Sequence, residues 1–161
     1  MRIFLALSIA LVLPGCSLSP MYAGGSNGAV AQSLAAVDVP PIQGKAGWLV
    51  RNALNEKLGA AGVADSRYRL DVRLDDSLAG LGVLADDTIS RERRTLRARY
   101  QLVDASTGEI LLDATEGADA GIDVVSSEYA TFAAENTALE NLTKEIADRI
   151  VTRVALTLRD R

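Results

Sequence analysis

Tyr68-Arg69-Leu70-Asp71-Val72-Arg73-Leu74-Asp75 alternates without a fault. In an extended chain successive side chains point to opposite faces, so Tyr68, Leu70, Val72 and Leu74 share one side and Arg69, Asp71, Arg73 and Asp75 the other. A strand divided in this way belongs to a sheet with one buried face and one in water. Thr88 to Val103 repeats the division over a longer span. Leu96, Ala98, Tyr100 and Leu102 line up on one face, while Arg91, Arg93, Arg97 and Arg99 line up on the other with Thr95 and Gln101. Arg94 adds a fifth guanidinium. Asp104-Ala105-Ser106-Thr107-Gly108 reads as a turn, with Gly108 suited to positive φ. Glu109 to about Thr115 returns as the partner strand. Glu116 to Asp123 is Gly- and Ala-rich, so its register is weakly specified.

The flanking segments supply the cover. Leu34 to Val39 is a short apolar, β-branched run stopped by Pro40-Pro41, and reads as a first strand. Gly44 to Leu58 carries Val50, Ala53, Leu54 and Leu58 at helical spacing, with Gly59 as its stop. Trp48, in that helix, is expected to anchor the core or its edge. Gly80-Leu81-Gly82-Val83-Leu84 reads as an apolar loop that either folds back on the core or meets a partner. Ser126-Ser127-Glu128 opens the last element, a serine being available to cap it. Phe132, Leu139, Leu142, Ile146, Ile150, Val154 and Leu158 then mark the inner face of a helix about 45 Å long. The fours in that spacing do not hold the 3.5 period of a coiled coil. The expected order is β-α-β-β-β-α. It describes an α+β fold, two helices packed on one face of a roughly four-stranded mixed sheet.

Ahead of this lies Arg2 and then Ile3 to Leu13, an almost wholly apolar run of eleven residues. A spanning helix needs about 20, so the run fits a secretory signal peptide. It ends at Leu13-Pro14-Gly15-Cys16, which resembles the lipobox of bacterial lipoproteins. Cys16, the chain's one cysteine, is then the expected lipidation site, and two or more acyl chains anchor durably where one does not. The alternative, an ordinary exported protein, would carry an unpaired, oxidisable thiol. The expected organisation is residues 1–15 as signal peptide, 16–32 as an acylated flexible tether and 33–161 as a single domain.

Composition narrows the chemistry. Without Arg2, 16 basic residues face 21 acidic ones, a net charge of −5 that does not suit a nucleic-acid binder. The chain has no histidine. With Cys16 acylated, neither imidazole nor thiolate is left for a zinc site or a nucleophile–base pair. No metal or cofactor is expected. An enzyme would have to use carboxylates, and Asp75-Asp76 and Asp86-Asp87 are the candidate pairs. Adjacent residues of a strand point to opposite sides and both pairs border a loop, so solvated turn residues are the expected reading and no enzyme is expected.

Gly15-Cys16, the Pro20-Met21-Tyr22 that follows, and the Gly-x6-Arg-Asn-x-Leu pattern from Gly44 to Arg51-Asn52-Ala53-Leu54 together resemble the LptE family of lipopolysaccharide-assembly lipoproteins. The Tyr68-Arg69-Leu70 strand start, the Asp104-to-Gly108 hairpin and the long terminal helix add to the likeness. Leu18 and Ser19 stand where the family usually has an aromatic and a basic residue. The resemblance implies a non-enzymatic lipoprotein, anchored by its lipid on the periplasmic side of the outer membrane. There it would plug the LptD β-barrel, assist its assembly and meet lipopolysaccharide. Ser17, where an aspartate would direct inner-membrane retention in such lipoproteins, agrees with the outer membrane. Planar guanidinium groups grip phosphates bidentately, so Arg91, Arg93, Arg97 and Arg99 are candidate lipopolysaccharide contacts. The competing reading is a solvated face whose arginines pair with Asp71, Asp75 or Asp113. Arg97 and Arg99, nearer the turn, are expected to be the more structural pair. The alternative function is an auxiliary lipoprotein of an ABC-type intermembrane lipid transporter.

Overall fold

The structure, a computed structural model, describes residues 28–59, 66–83 and 89–159. In order these form α1 (Ala29–Ala35), β1 (Val37–Asp38), α2 (Gly44–Leu58), β2 (Tyr68–Val83), β3 (Ile89–Asp104), β4 (Ile110–Asp123) and α3 (Glu128–Arg159). The strands make one mixed sheet in the order β1-β2-β3-β4, with β1 parallel to β2 and the rest antiparallel. The fold is the expected α+β arrangement with three helices in place of two. The signal peptide, Cys16 and the Asp86-Asp87 pair lie outside the described residues.

The first strand is shorter than the sequence suggests. Leu34 belongs to α1 and is buried in the core, and Ala29 to Gln32, read as tether, are already helical. Only Val37 and Asp38 pair with β2. Pro40 and Pro41 follow at once, and proline has no N–H to give a ladder. Gly80 to Val83, read as loop, instead continues β2, with Leu81 opposite Arg91 and Val83 opposite Ile89. The weakly specified end of β4 keeps one register through Asp123. Backbone pairing to β3 decides both segments, where side-chain pattern says little. At the hairpin the Asp104 carboxylate accepts the N–H groups of Ser106 and Thr107, and Gly108 takes φ 74°. Those bonds hold the Asp104 carboxyl below its ordinary pKa, the Ser106 hydroxyl first.

The even-numbered side of the sheet forms the core. Leu70, Leu96, Ala98, Tyr100 and Leu102 are buried against Leu139, Leu142, Ile146, Ile150 and Val154 of α3 and Val50, Leu54 and Leu58 of α2. The helices run parallel, since Lys45 meets Asn136 and Lys57 meets Asp148 at the same offset along the chain. α2 therefore begins level with Asn136. The first two turns of α3 and the far half of β2 extend past its cover. Phe132, expected inward, is 60% exposed there, and Asp75 to Gly80 are exposed as a block. Trp48 is 63% exposed in the groove between α2 and α3, not a core anchor.

Two arginines fasten the helix where apolar packing thins. Arg94, on the core side, grips the Asp76 carboxylate with Nε at 2.9 Å and Nη2 at 2.7 Å, and donates to the Glu135 carbonyl at 3.2 Å. This ties β2, β3 and α3 together just beyond the end of α2. Arg149 donates to the Gly117 carbonyl and joins α3 to β4. The fully buried Tyr100 lies near Glu116 and Arg153, and burial pushes its hydroxyl to higher pKa.

Candidate functional site

No described helix covers the odd-numbered side of the sheet. Strand β2 presents Arg69, Asp71, Arg73, Asp75 and Ser77, β3 presents Arg91, Arg93, Thr95, Arg97, Arg99 and Gln101, and β4 presents Asp113, Thr115, Asp119 and Asp123. Strand alternation alone places these residues together, so sequence found this face. Of the pairings the sequence offers for the row Arg91 to Arg99, the one to Asp113 is met, whereas Asp119 and Asp123 are partners it does not name. Arg91 pairs with Asp123 at 3.2 Å, Arg93 with Asp119 at 3.9 Å and Arg99 with Asp113 at 3.1 Å. Asp113 also accepts from the Gln101 amide at 2.8 Å. The Arg99 guanidinium, and after it Gln101, hold the Asp113 carboxyl below its ordinary pKa.

Arg97 differs. Its neighbours across the strands are Asp75 and Gly117, and among the described residues it has no ion pair. Arg97 and Arg99 are expected to be the more structural pair, but Arg99 is no more paired than Arg91 or Arg93, and Arg97 has no ion pair among the described residues. The cause is β4, which offers a glycine opposite Arg97 and an aspartate beside Arg99. Six arginines and five aspartates in all occupy this face on the three long strands, so it is close to neutral as a whole. Its free positive charge sits at Arg73 and Arg97, neither of which has an ion pair among the described residues. Arg73 was not singled out by sequence, because only the register reveals that it stands directly opposite Arg99.

The carboxylate pair read as a possible catalytic device is split between the two faces. Asp75 lies on the open side, and Asp76 lies on the helix side in the grip of Arg94. Among the described residues no cluster of His, Cys, Asp or Glu could hold a metal ion. No described helix is long and apolar enough to cross a membrane.

Gly44, Arg51 and Leu54 of the Gly-x6-Arg-Asn-x-Leu pattern each have a local structural role. Gly44 takes φ 80° at the start of α2, Arg51 Nε donates to the Val39 carbonyl at 2.8 Å, and Leu54 is fully buried. Together they seat α2 against the β1 segment.

Solved structures of bacterial lipoproteins share this fold. A lipoprotein from Caulobacter crescentus CB15 is similar with a TM-score of 0.70 at 22% identity, over 83% of this chain and 97% of that one. Rare lipoprotein B from Shewanella oneidensis follows with a TM-score of 0.60 at 12% identity, over 77% and 95% of the two chains. A minor lipoprotein from Acinetobacter baumannii has a TM-score of 0.58 at 16% identity, over 74% and 88%. No curated protein sequence matches the chain. At these identities the likeness establishes a shared fold. Residues 34–154 match LptE, described as lipopolysaccharide-assembly, and the chain belongs to that family.

Proposed function

We propose that this chain is a lipid-anchored outer-membrane protein that occupies the LptD barrel, assists its assembly and helps pass lipopolysaccharide to the outer leaflet. The family match over residues 34–154 carries this reading, since it spans α2, all four strands and α3 as far as Val154. In this reading residues 1–15 are removed, Cys16 bears the acyl chains, and the segment after it tethers one domain on the periplasmic side. No catalytic step is assigned. A half-covered sheet with a polar, nearly neutral open face suits a water-lined lumen, where many weak polar contacts replace an apolar interface.

Purification of the tagged, full-length protein from detergent-solubilised membranes tests the assignment. A large β-barrel protein should accompany it, and Cys16→Ser should move the chain out of the membrane fraction. Recovery of ABC-transporter components in place of a barrel would favour the intermembrane-transport alternative.

Arg91, Arg93, Arg97 and Arg99 are the lipopolysaccharide contacts in this proposal, and their pairing ranks them. Arg91, Arg93 and Arg99 must give up or share an aspartate to take a phosphate, whereas Arg97 need not. Hydrogen bonds to charged groups contribute about 1.5–3 kcal/mol, and each 1.4 kcal/mol is tenfold in affinity. Arg97→Asp is therefore expected to weaken lipopolysaccharide capture by at least about tenfold, and Arg91→Asp by less. Equal capture by wild type and Arg97→Asp would remove the arginine row from the proposal and leave the barrel assignment intact.

A further inference from the structure

The outer side of the two long helices carries a groove with fixed ends. It runs between α2 and α3 with a volume of about 470 Å³, within the range of small-ligand sites. On α2, Trp48, Asn52 and Glu56 follow one another four residues apart and so form one stripe. On α3, Glu140, Lys144 and Asp148 form the facing stripe at the same spacing. The buried Thr143 lies deeper between them, with Leu49 and Ala53. Lys45 donates to Asn136 beyond one end, and Lys57 pairs with Asp148 at 2.6 Å at the other. Both walls are thereby held in register.

The groups along these walls are not used by the fold. Asn52 belongs to the Gly-x6-Arg-Asn-x-Leu pattern, yet it is exposed and, unlike Arg51 and Leu54, takes no part in seating α2. Among the described residues the Asn52 amide, the Glu56 and Glu140 carboxylates and the Lys144 ammonium have no hydrogen bond or ion pair. Trp48 stands beside them, 63% exposed, and it is the chain's one tryptophan.

We propose that this groove binds a short, uncharged oligosaccharide of acetamido sugars. An indole offers a flat apolar face with a polar edge, and a pyranose ring offers a flat face of C–H groups that stacks on it. The hydroxyls around such a ring need acceptors and donors together. Glu56 and Glu140 accept, Lys144 donates, and the Asn52 amide does both. That amide also matches an acetamido group, accepting from its N–H and donating to its carbonyl. Three carboxylates line the groove against two ammonium groups, a balance that disfavours phosphate and other anions. The ligand therefore differs in chemistry from one that the arginine row would hold on the other side of the sheet. From Trp48 to Glu56 the stripe runs about 12 Å, longer than a single sugar ring. This site does not rest on the barrel assignment.

Trp48 reports on the site directly, because no other tryptophan contributes to the emission. Chitotriose, a trimer of N-acetylglucosamine, titrated into the full-length protein in detergent should change that emission and saturate by millimolar concentration. Calorimetric titration then compares the variants. Trp48→Ala should weaken binding at least about tenfold, through loss of the stacking face. Asn52→Ala should weaken it about two- to tenfold, the effect of one neutral hydrogen bond. Maltotriose, which has no acetamido groups, should bind more weakly than chitotriose. Both side chains are exposed, so each variant should unfold at the wild-type temperature by circular dichroism, and lost binding then reports on the groove. The proposal is overturned if chitotriose gives no saturable change, if either variant binds it as wild type does, or if maltotriose binds as tightly.

Discussion

Ile146→Ala should lower the unfolding free energy by about 2–5 kcal/mol, the range for removing a large aliphatic side chain from a packed core. Ile146 is fully buried at the centre of the α3–sheet interface, among Leu139, Leu142 and Ile150. Leu142→Ala should fall in the same range. Phe132→Ala serves as the contrast. It belongs to the same apolar series in sequence but is 60% exposed past the end of α2, and its loss should stay within about 0.5 kcal/mol. Urea unfolding followed by far-UV circular dichroism measures all three. An Ile146 loss below about 0.5 kcal/mol would mean that α3 turns another face to the sheet.

Gly47→Ala sets two effects of opposite sign against each other. Helix propensity favours alanine by about 1 kcal/mol in a helix interior. Against that, a Cβ on Gly47 would lie 2.6 Å from the Ile42 carbonyl oxygen and 2.7 Å from its carbon. These are backbone atoms, so no rotamer change relieves the contact, and overpacking of this kind costs about 1–3 kcal/mol. The contact should prevail, leaving a net loss of up to about 2 kcal/mol for Gly47→Ala and a larger one for Gly47→Val. Gly121→Ala, where an added Cβ meets nothing within 4 Å, should show no such loss. A Gly47→Ala protein as stable as wild type would show that the Ile42 segment yields freely.

The strand pattern from Tyr68 and again from Leu96 was enough to place a core face and an open face. The turn at Asp104 and Gly108 was legible because its chemistry is local. Arg91, Arg93, Arg97 and Arg99 were legible as a row for the same reason, since alternation is a property of one strand. Asp113 is within reach of the same reading, but Asp119 and Asp123 are not, because which β4 residue lies beside each arginine depends on the register between two strands. Phe132 and Trp48 depart from the sequence pattern for a related reason. Periodicity marks the face of a helix, but it does not say how far along that face the neighbouring element reaches.

Sequence by itself therefore determined the fold class, the buried side of each long strand and the family pattern from Gly44 to Leu54. It did so because these follow from spacings of two and of three to four along a single chain. Tertiary structure alone decided that β1 stops after two residues, that α2 covers only part of the sheet, and that Arg73, Asp75 and Arg97 have no ion pair among the described residues. Each of those outcomes depends on which backbone lies beside which, a relation between segments far apart in sequence.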